Sequence, residues 1–152
     1  MARLSKIIAT LFYVGYVPFA PGTVASALAI PIYIALRGNS HIYLTFTIVM
    51  VIIGFLAINR AVTCFKESDP KCIVIDEFAS MFIVYLFLPF TPGIILAGFI
   101  LFRFFDITKM PIIKKLESFH KGYGIMLDDI AAAILSNMVL QVLLLLKTPF
   151  LV

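Results

Sequence analysis

Six carboxylates in three short segments are the residues most able to do chemistry: Asp69, Asp76 and Glu77 in "DPKCIVIDEFASM", Asp106 in "FRFFDITK", and Asp128 and Asp129 in "KGYGIMLDDI". An oxygen-only set with no clustered His or Cys suits a hard cation, and beside phosphate the usual choice is Mg²⁺. Arg103, Lys109 and Lys121 stand in the same segments and would offset phosphate charge. Together these suit phosphoryl chemistry on a lipid head group at a membrane surface. Each segment also has a plainer explanation. Asp76 and Glu77 in the first turn of an apolar helix complement its dipole, although two adjacent acids exceed what a cap requires. Arg103, Asp106 and Lys109 are three apart, so they share a helical face as a structural ion pair would. At the edge of a membrane segment, however, polar groups are more often functional. Asp128 and Asp129 would point about 100° apart on a helix, so one could hold a metal while the other caps or holds a water.

A fourth segment, "PFAPGTVAS", predicts a turn at Pro21-Gly22 and a helix toward Leu36 with Thr23 as N-cap. Free backbone N–H groups and the dipole make that helix end a phosphate seat, and capping without function is the plainer alternative. Gly122 and Gly124 suggest a flexible or close-approach loop ahead of the paired aspartates.

The elements that must position these residues are apolar. The chain has 152 residues, of which 62% are hydrophobic and 13% charged, with a mean hydropathy of +1.11. Soluble domains carry about a quarter charged residues, so the composition points to membrane. The net charge of +4 flanks apolar runs, which argues against nucleic-acid binding and for a positive-inside bias. Cys64 and Cys72 lie eight apart and His41 and His120 are distant, which argues against a zinc site and a disulfide framework. The basic-then-apolar N-terminus has no small-residue cleavage site after a compact apolar core, and is expected to be retained.

Four stretches lack charge: Ile7–Leu36, Ile42–Ile58, Phe78–Phe102 and Ile130–Leu146. The second and last each fit one span of about 17–25 residues. The others are interrupted at Val17–Gly22 and Pro89–Gly93, where paired prolines and a glycine break a helix. Phe78–Leu88 would reach about 16 Å, half of a hydrocarbon core of about 30 Å. A re-entrant hairpin there puts ten of the twelve cations on one face, with Arg37 and Lys147 opposite; a single kinked span splits them six to six. The positive-inside rule favours the hairpin and makes the cation-rich face cytoplasmic. All eight acids then share that face, and "MPIIKKLESF" forms an interfacial amphipathic helix. The expected fold is all-α, a compact polytopic membrane bundle with broken or re-entrant helices at both sites, one membrane-embedded domain over residues 1–152. The residues leave open whether Met1–Val17 spans, re-enters or lies flat.

The ordered set "PFAPGT", "DPKCIVIDEFASM", "FRFFDITK" and "GYGIMLDDIAA" resembles the phosphatidylglycerophosphatase A family from about Tyr16 to Ala133. The resemblance implies a bacterial, inner-membrane, Mg²⁺-dependent lipid phosphatase whose active site faces the cytoplasm. Its substrate would be phosphatidylglycerophosphate and its product phosphatidylglycerol. It further implies metal ligation by Asp76, Glu77, Asp128 and Asp129, catalytic roles for Asp106, Asp128, Asp129, Arg103 and Lys109, and phosphate binding by Gly22, Thr23 and Lys121. Ala25, Ser80 and Ala133 stand where the family pattern has glycine, and each is small enough to keep helices close. Lys121 stands near where a further glycine is expected. A small divalent-cation transporter is the alternative, but it should carry acids within its apolar runs, and these have none. The Pro-Ser-Gly-His motif of histidine-based lipid phosphatases and the Asp-Gly-x-x-Ala-Arg motif of CDP-alcohol transferases are both absent.

Overall fold

The structure, a computed structural model, describes residues 2–65, 70–108 and 122–146. Among them are six α-helices, one short 3-10 turn at Val14–Tyr16 and no strand: α1 (Ala2–Ala9), α2 (Pro21–Leu36), α3 (Ser40–Phe65), α4 (Ile75–Val84), α5 (Pro92–Thr108) and α6 (Gly122–Leu145). The all-helical bundle with breaks near both Pro-Gly sites agrees with expectation. Asp69, Lys109, Lys121 and the "MPIIKKLESF" segment lie outside the described residues.

Local chemistry sets the helix starts. The Asn39 side chain accepts bonds from the His41 and Ile42 amides and caps α3. Thr91 accepts from the Ile94 amide at 3.2 Å, ahead of Pro92 in the first turn of α5. One expectation is corrected at α2. Its N-cap is Ala20 in a left-handed conformation with Pro21 at the first helical position, so Thr23 lies inside the first turn and caps nothing.

α3 and α6 are long and apolar enough to cross a membrane, at 26 and 24 residues. Only 28% and 33% of their most apolar windows are buried in the protein, so neither is the core helix of a soluble fold. Ile42, Ile48, Ile52 and Leu56 on α3, Leu96 and Ile100 on α5 and Ile134, Met138 and Val142 on α6 are exposed. Such an apolar band is what lipid would cover. Lys6 lies over Phe65 at one end of α3, and Arg37 over Phe90 beyond the other. With eight residues, about 12 Å, α1 is too short to span; it packs on α3.

α4 is the buried centre. Eight of its ten residues are buried, and it packs against α2, α3, α5 and α6. Beyond the acid pair in its first turn α4 is almost wholly apolar, and such a helix belongs inside. It ends at Val84, earlier than the prolines alone predict, because neighbours take over its last carbonyls. The Asn137 side chain donates to Val84 O and Leu86 O, both at 2.9 Å, and the Tyr43 hydroxyl donates to Phe82 O. Phe87 then adopts a left-handed φ of 60° and the chain reverses. Backbone that leaves a helix inside a bundle is tolerated where protein groups satisfy it in this way. Asn137→Leu is therefore expected to lower unfolding free energy in detergent by about 1–3 kcal/mol. An unchanged unfolding midpoint would show that these carbonyls find other partners.

Candidate metal and phosphate site

The reversal after α4 returns the chain to the level where it began: Arg103 Nη1 near the end of α5 lies 3.9 Å from Glu77 Oε1 at the start of α4. The same guanidinium pairs with Asp106 Oδ2 at 2.8 Å, one helical turn onward. α6 runs alongside α3, with Gly122 against the Asn59 backbone and Met126 against Gly54. A Cβ on Gly122 would meet Asn59 N at 2.8 Å, so the glycine serves close helix approach. Gly122 and Gly124 open the helix; they do not form the loop the sequence suggested.

Asp129 comes seven residues after Gly122, about 10 Å further along α6. There Asp76, Glu77 and Asp129 each offer one carboxylate oxygen, and the three oxygens lie within 4.8 Å of one another. Asp106, held by Arg103, adds a further carboxylate near this group. Asp76 and Asp129 are both 5% exposed. Asp76 Oδ1, Glu77 Oε2 and Asp129 Oδ2 are buried with no hydrogen-bond partner among the described residues. Several carboxylates this close and this dry repel one another unless a cation sits among them. Oxygen donors of this kind fit a hard divalent ion.

Asp128 is as buried as its neighbour but is not one of the three clustered carboxylates, and adjacent helical side chains point about 100° apart. Of the four acids that the resemblance implies as ligands, Asp76, Glu77 and Asp129 have oxygens within 4.8 Å of one another, and Asp128 is the next residue along α6.

The first turn of α2 closes the site from another side. A Cβ on Gly22 would lie 2.0 Å from Glu77 Oε1 and 3.3 Å from Arg103 Nη1, so only glycine lets the backbone touch both groups. Pro21 has no N–H, and the Gly22 and Thr23 amides have no partner within the helix. The positive end of the dipole therefore faces this acid–base cluster.

Two residues escaped the sequence analysis as site components. Ser26 Oγ donates to Gly22 O at 2.9 Å and lies 3.5 Å from Arg103 Nη1. Ser80, one turn after Asp76 and fully buried, has an Oγ without a partner among the described residues. The available signal was spacing: each serine comes four residues after a site residue, among small side chains.

The fold and site define a helical bundle with two candidate membrane spans and a buried acidic centre flanked by one arginine. The family model for phosphatidylglycerophosphatase A matches residues 7–144, and the chain belongs to that family. A Haemophilus influenzae phosphatidylglycerophosphatase A is 38% identical over 133 residues, covering 84% of this chain and 81% of the relative. The Escherichia coli phosphatidylglycerophosphatase A is 33% identical over 139 residues, with 90% and 81% covered. A Bacteroides thetaiotaomicron protein named "Putative phosphatidylinositol-3-phosphatase" is 35% identical over 148 residues, with 91% and 92% covered. No solved structure matches the chain significantly.

Proposed function

We propose that this chain is a membrane-embedded lipid phosphomonoesterase that hydrolyses the terminal phosphate of phosphatidylglycerophosphate, giving phosphatidylglycerol and phosphate. The observation that carries the proposal is the trio of clustered carboxylate oxygens beside Arg103, in a chain of this family. Asp76, Glu77 and Asp129 would hold Mg²⁺. When bound, that ion supplies Lewis acidity and a more acidic water. Asp128, equally buried at the next position of α6, takes no ligand role in this scheme.

The remaining roles belong to the chain itself. Arg103 offsets charge on the phosphate as the phosphorus–oxygen bond to glycerol breaks. Its ion pair at 2.8 Å holds the Asp106 carboxylate in place, so Asp106 can accept the proton of the attacking water. The departing glycerol oxygen takes its proton from solvent. The Gly22 and Thr23 amides seat a phosphate oxygen at the positive end of α2. Lys109 and Lys121, which follow α5 and precede α6 in the sequence, would add positive charge. The whole chain would act as one domain in a bacterial inner membrane. The end bearing Arg60 faces the cytoplasm, with the carboxylates about 10 Å inward from it along α6, since Arg37 alone of the described cations sits at the other end of α3.

Phosphate release from phosphatidylglycerophosphate in detergent is the test. Activity with Mg²⁺ should fall by about 100-fold or more when a chelator removes it. No release under either condition rejects the proposal, and faster release from phosphatidylinositol 3-phosphate would reassign the head group.

A further inference from the structure

An apolar cavity of about 700 Å³ lies among α1, α2, α3 and α4, outside the polar site. Only apolar side chains line it, among them Phe12, Leu28, Ile32, Met50, Ile75 and Phe78. Two of these frame the acid pair in sequence: Ile75 precedes Asp76 and Phe78 follows Glu77. The cavity therefore starts at the level of the carboxylates. On α2 its wall reaches Ile32, ten residues beyond Gly22, which itself touches Glu77. Ten residues of helix are about 15 Å, the depth of one leaflet in a hydrocarbon core of about 30 Å.

The opening faces where lipid would be. Phe12 and Leu28 on its rim are 73% and 41% exposed. Leu11, Phe12 and Tyr13 all have positive φ, at 47°, 52° and 73°. Left-handed geometry costs about 1–2 kcal/mol at each such residue. That strained turn is what carries Phe12 over the rim.

We propose that this groove holds one acyl chain of the lipid whose phosphate occupies the acidic site. The inference rests on the phosphatase function proposed above. In phosphatidylglycerophosphate the terminal phosphate is joined to the chains through glycerol, a phosphodiester and a second glycerol. That flexible link is long enough to carry the chains from Asp76 and Glu77 to the mouth of the groove beside Ile75 and Phe78. The groove offers one chain an apolar wall from there down through the leaflet, while the second stays among neighbouring lipids. Burying each methylene is favourable by about 0.8 kcal/mol, so a filled groove adds affinity only for chains long enough to enter it.

Ile32→Trp and Met50→Trp fill the lower groove from facing helices without touching the carboxylates. With dipalmitoyl phosphatidylglycerophosphate, each should raise KM by about ten-fold or more. With the dihexanoyl lipid, whose chains end near the top, KM should stay within about two-fold of wild type. The unchanged dihexanoyl turnover also shows that the variants fold. Equal losses on both lipids, or no loss on either, overturn the proposal. A measurement without turnover separates it from the phosphatase function. Phosphatidylglycerol with a mid-chain diazirine should crosslink on illumination to the peptides bearing Ile32 and Met50. Labelling confined to the exposed faces of α5 and α6 overturns the groove assignment. Wild-type protein that hydrolyses neither lipid rejects the activity, and the crosslink then decides the groove.

Discussion

Asp129→Asn is expected to cut phosphate release by about 10³-fold and, in chelator, to leave the protein more stable than wild type. The first effect follows from losing one of three oxygens within 4.8 Å of one another. A divalent ion at a transferring phosphoryl group contributes several kcal/mol, and about 4 kcal/mol is 10³-fold. The second effect has the opposite sign because the metal-free site is self-repelling. Asp76 and Asp129 are each 5% exposed and share the site with Glu77, so neutralising one removes like-charge repulsion from a poorly solvated place. Wild type should gain thermal stability as Mg²⁺ is added, following its binding free energy, and Asp129→Asn should gain little. Melting in detergent across a Mg²⁺ titration, beside the activity assay, checks both. Equal Mg²⁺ stabilisation of the two proteins would remove Asp129 from the metal site. Asp128→Asn separates the neighbours: with Asp128 outside the trio, it should keep the Mg²⁺-dependent rise in melting temperature.

The second large effect is expected from the smallest change. Gly22→Ala puts a methyl group 2.0 Å from Glu77 Oε1 and 2.8 Å from its Cδ. Glu77 ends a flexible side chain, so it can swing away at little cost in stability. Alanine also favours the helix by up to about 1 kcal/mol over glycine. The swing, however, withdraws one ligand from the trio and disturbs the contact with Arg103. Displacing a reacting arrangement by about 1 Å costs about 100-fold in rate. Gly22→Ala should therefore lose about 100-fold in kcat with its unfolding midpoint held or slightly raised. Parallel kinetics and unfolding curves give the comparison. Activity within three-fold of wild type would show that the close contact between α2 and Glu77 has no catalytic role.

These expectations depend on the two kinds of information differently. Membrane character was legible because it is a sum: high hydropathy and four uncharged stretches need no knowledge of contacts. Both helix breaks were legible because proline and glycine act on their own backbone, and α5 begins at Pro92 as that chemistry requires. The end of α4 was not. It stops at Val84 because Asn137, 53 residues away, takes its carbonyl, and nothing local marks that position. Thr23 failed as an N-cap for a related reason. Pro21 satisfies the first helical position by itself, which moves the start three residues earlier.

By itself, then, the sequence determined the solvent this protein lives in, the number of long apolar helices and the residue types able to bind a cation. Those are properties of composition and of neighbours along the chain. Only the tertiary structure decided that Asp129 and not Asp128 joins Asp76 and Glu77, that Gly22 touches Glu77, and that an apolar groove begins beside them. Each of those facts is a distance between helices far apart in the chain. Such distances come from how small side chains let backbones approach, and no spacing within a single segment encodes them.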